Sequence, residues 1–343
     1  MQPVSRRRFC RTALGAGGLL GLGVGSVAWN EGRRESLAVA SELQSETARS
    51  TAFGAQVSIT ALHADRTIAA RSAKAAIAEL HLVDEIMSLY RPDSQLSRLN
   101  RDGVLHRPHP WLVSLLREAR VISQLTGGAF DVTVQPLWNV YSDAQKAGTA
   151  AKPNHIDAAR RKVDWRQVEV SPAAIRLHGE CRAVTLNGIA QGFAADRALA
   201  VLRKQGIRHA LVDAGEINSL GTRGDGEQWR VGIRHPRQAN AHAAVAGLGG
   251  RCLATSGDYA TSFSDDHTQN HLFDPRTGQS PKEFSSVSVV APTGVRADAL
   301  ATALSVLDPR DGLRLLKNTP ETDALFVFKD GRALATSGFV ECT

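Results

Sequence analysis

Residues 294–308 read GVRADALATALSVLD, and the predicted site is centred on this stretch. Its apolar residues recur at helical spacing: Val295, Leu300, Leu304 and Leu307. That spacing predicts a helix packed on a core. Asp298 and Thr302 stand four residues apart, so they share one face of the helix and offer the hard oxygen atoms that Mg²⁺ or Ca²⁺ prefers. Such a pair is more often a solvated helix face, and it defines a site only together with other residues.

A second group of reactive side chains comes shortly before this helix. Residues 271–278 read HLFDPRTG, and a β-branched strand is predicted over residues 285–291. A His and a glycine turn near a helix that carries an acid and a hydroxyl indicate a metal-assisted phosphate site.

Composition predicts a packed protein that does not bind nucleic acid. The chain has 343 residues, 43% hydrophobic and 22% charged, which suits one large domain or two ordinary ones. The net charge of +7 falls to +3 once residues 1–28 are set aside, because four of the 41 basic residues and none of the 34 acidic ones lie there. So small an excess gives no basic surface for nucleic acid.

The N-terminus has the pattern of an export signal. Residues 5–9 read SRRRF, a Gly/Ala/Leu run follows over residues 12–28, and its last three residues, SVA, fit a small-x-small cleavage site. We therefore predict a twin-arginine signal peptide over residues 1–28, a polar linker over 29–50 and a periplasmic protein with no stable membrane span after cleavage. The alternative is an uncleaved anchor, although 17 Gly-rich residues are few for a span.

The four cysteines give no metal or redox motif, because no CxxC pair occurs. Cys10 falls in the predicted signal. At most one disulfide can form among Cys181, Cys252 and Cys342, and the sequence does not decide whether it does.

Helices and strands mix irregularly along the chain, which predicts an α+β fold. Long helices are expected over residues 65–90, from Pro110 to Gly127, and from the turn at 187–192 to Gln205. Strands are expected at 51–61, 129–138, 168–177, 182–186, 207–213, 229–234, 244–253 and 285–291. The remaining expectations are a loop or short helical turn at 93–100, a surface loop at 142–154 and a hairpin turn at 329–331.

Nine short segments, taken in order, resemble the ApbE family of FAD:protein FMN transferases. They are MSLY (87–90), SQLSRLN (94–100), GAFD (128–131), TVQPL (133–137), NGIAQG (187–192) with Asp196, LVDAG (211–215), TSGDY (255–259), HLFDPRTG (271–278) and ADALAT (297–302). Each is weak alone, but their common order makes chance similarity improbable. The resemblance covers residues 51–339. It implies one T-fold-like domain over residues 51–343, with mixed or antiparallel sheets flanked by helices.

The resemblance also implies a reaction. FAD is split at its pyrophosphate, FMN is attached to a Thr or Ser hydroxyl of a partner protein, AMP leaves, and Mg²⁺ is required. The implied metal ligands are Asp298, Thr302 and the carbonyl of Gly188. His271 is the implied acid/base or orienting residue, and Asp258 is a second candidate for that role.

Eight residues match the family's positions around the flavin nucleotide: Phe53, Tyr90, Ala129, Phe130, Asp131, Thr185, Gln191 and Phe273. Structural roles stay open for several of them, as core residues for Tyr90 and Phe130 or as turn caps for Asp131. The chain departs from the family where an acid is replaced by Thr185, a cation by Gln191 and a second glycine by Glu216. Thr185 removes a negative charge and Gln191 removes a positive one. The two changes therefore leave the net charge unchanged, as expected of a single compensated change.

The expected partner is an acceptor protein with an FMN-binding domain. Export of such an enzyme suggests an electron-transfer system outside the cytoplasm, such as nitrous oxide respiration. There a NosX-like protein would serve a NosR-like membrane flavoprotein. Two alternatives remain: a periplasmic FAD carrier or chaperone without transferase activity, and an FAD pyrophosphatase that releases FMN and AMP to water.

Overall fold

The computed structural model describes residues 43–179 and 183–339. The predicted signal peptide, most of the linker, Cys10, Cys181 and Cys342 lie outside these ranges. Within them the chain forms eight α-helices: α1 Arg66–Met87, α2 Gln95–Asp102, α3 Pro110–Leu125, α4 Gln135–Lys146, α5 Pro153–Arg160, α6 Ala190–Lys204, α7 Gly294–Val306 and α8 Pro309–Lys317. None of these helices is both long and apolar enough to cross a membrane.

Thirteen strands occur in the same ranges: β1 Gln44–Ala52, β2 Ala55–His63, β3 Val104–His106, β4 Val168–Val170, β5 Ala174–Leu177, β6 His209–Asp213, β7 Ile217–Leu220, β8 Trp229–Arg234, β9 His242–Leu248, β10 Cys252–Gly257, β11 Phe284–Ala291, β12 Asp323–Phe328 and β13 Ala333–Ala335. Eight of them form one antiparallel sheet in the order β1-β2-β6-β7-β10-β11-β12-β13. A three-stranded sheet, β3-β5-β4, and a two-stranded ribbon, β8-β9, complete the α+β fold.

Apolar residues cover both faces of the large sheet. In β12, Ala324 and Phe326 join the main core with helices α1, α6 and α7, whereas Leu325 and Val327 join a second core with the β8-β9 ribbon. Alternation along a strand sends neighbouring side chains to opposite faces. The central strand β11 is therefore buried along its whole length, which explains its run of small and β-branched residues.

Helix α7 is buried more completely than its spacing predicted. Eleven of its thirteen residues are buried, Asp298 among them. It packs between the large sheet and α6, so a polar side chain on α7 faces protein or a cavity. The predicted helix is confirmed, and the solvated-face interpretation of Asp298 is wrong.

The first strand begins earlier than the sequence indicated. Residues 44–50, predicted as linker, form most of β1, and the strand expected over 51–61 is instead the tight turn at Phe53-Gly54 followed by β2. The composition misled because β1 is an edge strand with one exposed face, where polar and charged residues are common.

Five other expectations need correction. Residues 135–146 form α4 rather than a strand, since Pro136 lies in the first turn, a position that a helix accepts. Helix α4 and helix α5 together occupy most of the loop expected over 142–154. Residues 183–186 are extended but unpaired with any described strand, and 244–253 spans the ends of two strands, β9 and β10, that belong to different sheets. The loop or short turn expected over 93–100 is α2.

Candidate active site

One pocket collects most of the residues singled out in the sequence. It is bordered by the β1-β2 turn, the segment after α1, the start of α6, the loop before β11 and the buried side of α7. Eleven of the thirteen candidate residues line it: Phe53, Tyr90, Ala129, Asp131, Thr185, Gly188, Gln191, His271, Phe273, Asp298 and Thr302. The long-range pairing of the large sheet brings these distant segments together.

The inner end of the pocket carries three oxygen donors. A Cβ atom placed on Gly188 would lie 2.7 Å from the Thr302 hydroxyl, so the backbone here approaches α7 closely. The Asp298 carboxylate is 4% exposed and accepts a hydrogen bond from the amide of Gly192 at 3.1 Å. Ser256 on β10 adds a hydroxyl 3.3 Å from that of Thr302. A carboxylate, hydroxyls and a main-chain carbonyl are the oxygen types that hold Mg²⁺ or Ca²⁺, so the donor set fits such a cation.

Helix α7 is fixed to α6 by a half-buried acid and two glycines. Asp196 on α6 accepts hydrogen bonds from the amides of Gly294 (2.8 Å) and Val295 (3.0 Å), the first residues of α7. Burial raises the pKa of Asp196 although these amides oppose the shift. A side chain at Gly192 would collide with the carbonyl of Gly294. This close contact sets where Asp298 stands relative to the start of α6.

The outer part of the pocket is shaped by a strained turn. Phe53 has a φ of +53° and Gly54 a φ of +73°, as a two-residue hairpin turn with both residues left-handed requires. The Phe53 amide donates to Asp84 on α1, which also accepts from Arg91 at 3.0 Å. Tyr90 is 59% exposed. The core interpretation of Tyr90 is therefore wrong, and its ring is accessible at the pocket surface.

Asp131 both caps a turn and lines the pocket. Its carboxylate accepts from the amide and hydroxyl of Thr133, at 2.8 and 2.6 Å, and from the amide of Trp165 at 3.1 Å. Burial raises the pKa of this carboxyl, and the Thr133 contacts oppose the rise. Asp131 therefore holds the Ala129 segment in place at the pocket wall.

The three departures from the family pattern all face the same pocket. Gln191 is buried and donates to the carbonyl of Ala214 at 3.0 Å, and Glu216 is buried and accepts from the amide of Thr255 at 3.2 Å. Thr185 lies half-buried on the wall, and its hydroxyl accepts from the amide of Asn187. Gln191 thus secures the turn after β6.

His271 is held at the pocket in a defined orientation. Its Nδ1 atom lies 3.2 Å from the carbonyl oxygen of Thr261, and its own amide donates to the same oxygen at 3.0 Å. A carbonyl only accepts, so Nδ1 carries a proton and the neutral ring has its lone pair on Nε2. Phe273, two residues on, packs against Tyr141 with ring centroids 5.1 Å apart.

Two candidates lie elsewhere. Phe130 is 4% exposed and belongs to the main core, so the core interpretation is correct, and Phe130 is not among the residues that line the pocket. Asp258 is 1% exposed and does not line the pocket, because its carboxylate forms a bidentate ion pair with Arg237, both contacts at 2.7 Å. A buried carboxylate paired in this way is poorly placed for proton transfer.

Several residues at the site were missed by sequence reasoning. Asn100 bonds both backbone groups of Val184, donating to its carbonyl and accepting from its amide at 2.8 Å each, and so fixes the extended segment that leads to Gly188. Asp196 and Ser256 stood inside quoted motifs without a role. Asn100 bonds the backbone of Val184 as a neighbouring strand would. The sequence gives no signal of this contact, because the two residues are 84 positions apart.

Among the described residues, no three His, Cys, Asp or Glu side chains converge as a metal cluster would require. The described ranges include one cysteine, Cys252, which is free and buried, and burial raises the pKa of its thiol. A cation at this site would therefore depend on a single carboxylate with neutral oxygen ligands.

Comparisons with known proteins agree with the geometry. Residues 53–326 match the ApbE family. The chain is 33% identical over 270 residues to the FAD:protein FMN transferase of Escherichia coli K12, covering 72% of this chain and 76% of that one. It is 33% identical over 283 residues to the FAD:protein FMN transferase of Treponema pallidum, covering 75% and 76%. The solved structure of the flavin transferase ApbE from Vibrio cholerae superposes with a TM-score of 0.72 at 26% identity, over 87% of this chain and all of that one. The chain belongs to the ApbE family.

Proposed function

We propose that this protein transfers FMN from FAD to a Ser or Thr hydroxyl of an acceptor protein and releases AMP. The observation that carries the proposal is the meeting of Asp298, Thr302 and Gly188 with His271 in one pocket, in a chain whose relatives are named FAD:protein FMN transferases. The acceptor oxygen forms a bond to the FMN phosphorus, the bond from that phosphorus to the AMP oxygen breaks, and the hydroxyl proton passes to a base.

Asp298, Thr302 and the carbonyl of Gly188 would hold Mg²⁺. When bound, the cation would neutralise charge that develops on the pyrophosphate. The chain prepares this end of the pocket by burying Asp298 and fixing it with the Gly192 amide. Because the hydrogen bonds of Asp196 fix α6 to α7, the proposed metal ligands keep the same distances from one another before the nucleotide binds.

His271 suits the proton transfer. With Nδ1 donating to Thr261, Nε2 of the neutral ring can accept the hydroxyl proton. The imidazolium that results is stabilised by the same carbonyl. Phe53, Tyr90 and Phe273 supply apolar and aromatic surface for the flavin nucleotide.

The sequence pattern at residues 5–28 supports export by the twin-arginine route and action in the periplasm. The acceptor we infer is a membrane flavoprotein with an FMN-binding domain, of the NosR-like kind that serves nitrous oxide respiration. The test of this assignment is which exported electron-transfer protein gains FMN in cells that express this chain and loses it when the chain is deleted.

The decisive experiment incubates the protein with FAD, Mg²⁺ and candidate acceptor domains and follows the acceptor by intact mass. A gain equal to one FMN, with AMP in equal amount, is expected. Asp298→Ala should abolish the gain and keep the circular dichroism spectrum, whereas Asp311→Ala, an exposed acid on α8, should behave as wild type. No gain with any acceptor, beside a working relative, would disprove the proposal.

Two other results would point to the alternatives. AMP released at full rate without an acceptor indicates an FAD pyrophosphatase. Tight FAD binding without turnover, unaffected by Asp298→Ala, indicates a carrier. The carrier role is retained as an alternative because Gln191 and Glu216, which differ from the family pattern, line the pocket.

A further inference from the structure

Three charged residues form a cluster beside the large sheet, away from the pocket lining. Asp258 is 1% exposed, and its two oxygens pair with the two terminal nitrogens of Arg237 at 2.7 Å each. The Lys329 ammonium lies 3.7 Å from the same carboxylate. Breaking a buried ion pair by removing one partner is costly. We call these residues the Arg237–Asp258–Lys329 cluster.

The cluster joins three connections that are distant in sequence. Arg237 lies in the loop between β8 and β9, Asp258 follows β10 directly, and Lys329 follows β12 directly. Backbone hydrogen bonds seat two of them on the end of the sheet: the Asp258 amide donates to Ser285 and the Lys329 amide donates to Glu283, each at 3.0 Å. These backbone hydrogen bonds therefore fix the Asp258 carboxylate relative to the sheet.

The segment that starts at Asp258 ends at His271. Within this segment the Thr261 carbonyl accepts from both the amide and the ring of His271, and Ser262 forms an isolated β-bridge with Asn270. Lys329 reaches the same segment a second time by donating to the His267 carbonyl at 3.4 Å. Asn270 donates to that carbonyl as well, at 3.0 Å. The cluster thus holds the segment at its first residue and again near its end.

We propose that the Arg237–Asp258–Lys329 cluster positions His271 for proton transfer. The inference rests on the proposed role of His271. Asp258 fixes the turn from which Thr261 extends, Thr261 sets the tautomer and direction of the imidazole, and Lys329 restrains the carbonyl of His267 four residues before it. Arg237 and Lys329 are positioning residues, since neither lines the pocket.

The cluster predicts a loss of turnover without a loss of FAD binding. A reactive group displaced by about 1 Å can cost on the order of 100-fold in rate. We expect Arg237→Gln to lower kcat for FMN transfer by about tenfold or more, with KM for FAD within about twofold of wild type. Arg237→Lys, which keeps the charge but not the bidentate contact, should recover part of the loss. Lys329→Met should show a smaller fall of the same kind.

The readout that separates positioning from general stability is a double-mutant cycle with His271→Ala. If the cluster acts through His271, Arg237→Gln and Lys329→Met each lower kcat by less than about twofold in the His271→Ala background. The control is Arg251→Gln, which breaks another partly buried ion pair, that of Arg251 with Asp323 at 3.0 Å, on the same sheet. This control should cost stability but leave kcat at the wild-type level.

Two results would overturn the inference. The first is a folded Arg237→Gln variant with wild-type kcat, measured beside a His271→Ala variant whose kcat is reduced. The second is a fall in kcat on Arg237→Gln that is equally large in the wild-type and the His271→Ala backgrounds. If Arg237→Gln does not fold, Lys329→Met carries the same test, because the Arg237 pair with Asp258 remains. Failure of the proposed function is distinguishable, since it would appear as absence of FMN transfer by the wild-type protein itself.

Discussion

At the scale of single residues, buried and half-buried carboxylates fix the geometry of the site. Asp196 holds the first amides of α7, Asp131 holds the Thr133 turn, and Asp258 holds the segment that leads to His271. Asp131 and Asp298 both line the pocket, and Asp298 stands beside Thr302 on α7. The first three acids thus have structural roles, and Asp298 is the acid that we propose as a metal ligand.

Gly188→Ala tests how closely the backbone must approach Thr302. The new Cβ would lie 2.7 Å from the Thr302 hydroxyl and displace one donor of the proposed cation site. We expect Mg²⁺ activation of FMN transfer to weaken by about tenfold or more, with a loss of stability of about 1 kcal/mol. A Mg²⁺ titration of the transfer rate and a urea titration check both numbers. Adding Thr302→Ser should restore part of the activation, and unchanged Mg²⁺ dependence in Gly188→Ala would exclude the site.

Asp213 gives a pH-dependent prediction. Burial raises its pKa from 3.8 to about 6, opposed by the Gly215 amide. The folded protein therefore binds more protons than the unfolded chain between these values, so this group's contribution to stability is fully present below pH 3.8 and is lost as pH rises through about 6.

We expect Asp213→Asn to be more stable than wild type at pH 8, by up to about 3 kcal/mol, and to lose that advantage near pH 4. Urea titrations at both pH values measure it. Asp225→Asn, at an exposed turn, should show no such trend. A constant difference at both pH values would mean that Asp213 titrates normally.

At the scale of elements, the site depends on the contact between α6 and α7. The two helices meet at Gly192 and Gly294, where neither position has room for a side chain. The same contact brings the Gly192 amide to Asp298. The two glycines therefore determine both how the helices pack and where the carboxylate lies.

Gly192→Ala should separate these helices. Inside a helix this change usually stabilises by about 0.5–1 kcal/mol, but here the added methyl meets the Gly294 carbonyl and the Asp298 side chain. We expect a net destabilisation of about 1–3 kcal/mol together with loss of FMN transfer. Thermal unfolding and the mass assay measure the two effects, with Ala200→Ser on the exposed side of α6 as control. A rise in Tm would show that α6 can shift away from α7 without a loss of stability.

At the scale of the whole molecule, the large sheet separates two cores with different tasks. The helix side supports the pocket, and the other side is closed by the β8-β9 ribbon and Phe339, which is 6% exposed. Two contacts link the ribbon to the segment of His271: the ion pair of Arg237 with Asp258, and the Arg234 guanidinium at the end of β8, which lies 5.4 Å from the centroid of the Tyr259 ring. Damage inside the second core should therefore affect stability more than nucleotide binding.

Phe339→Ala tests this separation. Removing a buried phenyl ring should lower the free energy of unfolding by about 3 kcal/mol or more, while the folded fraction binds FAD with wild-type affinity. Urea titration and flavin fluorescence give the two quantities. Leu334→Ala, which truncates a 39% exposed side chain on the edge strand β13, should change neither by much. Weakened FAD binding in folded Phe339→Ala would show that the two cores are coupled.

The sequence by itself determined the elements with strong periodicity or clear ends. Helices α1, α3 and α7, strands β8 and β11 and the hairpin turn before β13 follow from spacing, a starting proline and turn residues. It also identified eleven residues of the pocket, through their match to positions of the ApbE family. It misjudged β1 and α4, because edge exposure and a proline in a first helical turn make local composition a poor guide.

Only the tertiary structure decided which of the marked residues share the pocket. Phe130 and Tyr90 look alike as aromatic residues in motifs, but one is buried in the core and the other is exposed at the site. Asp258 and Asp298 are both buried acids, and their roles differ because Arg237 and Lys329 surround one while the other lies against a cavity. These roles depend on contacts between segments that are far apart in the chain, and local patterns of residues do not encode such contacts.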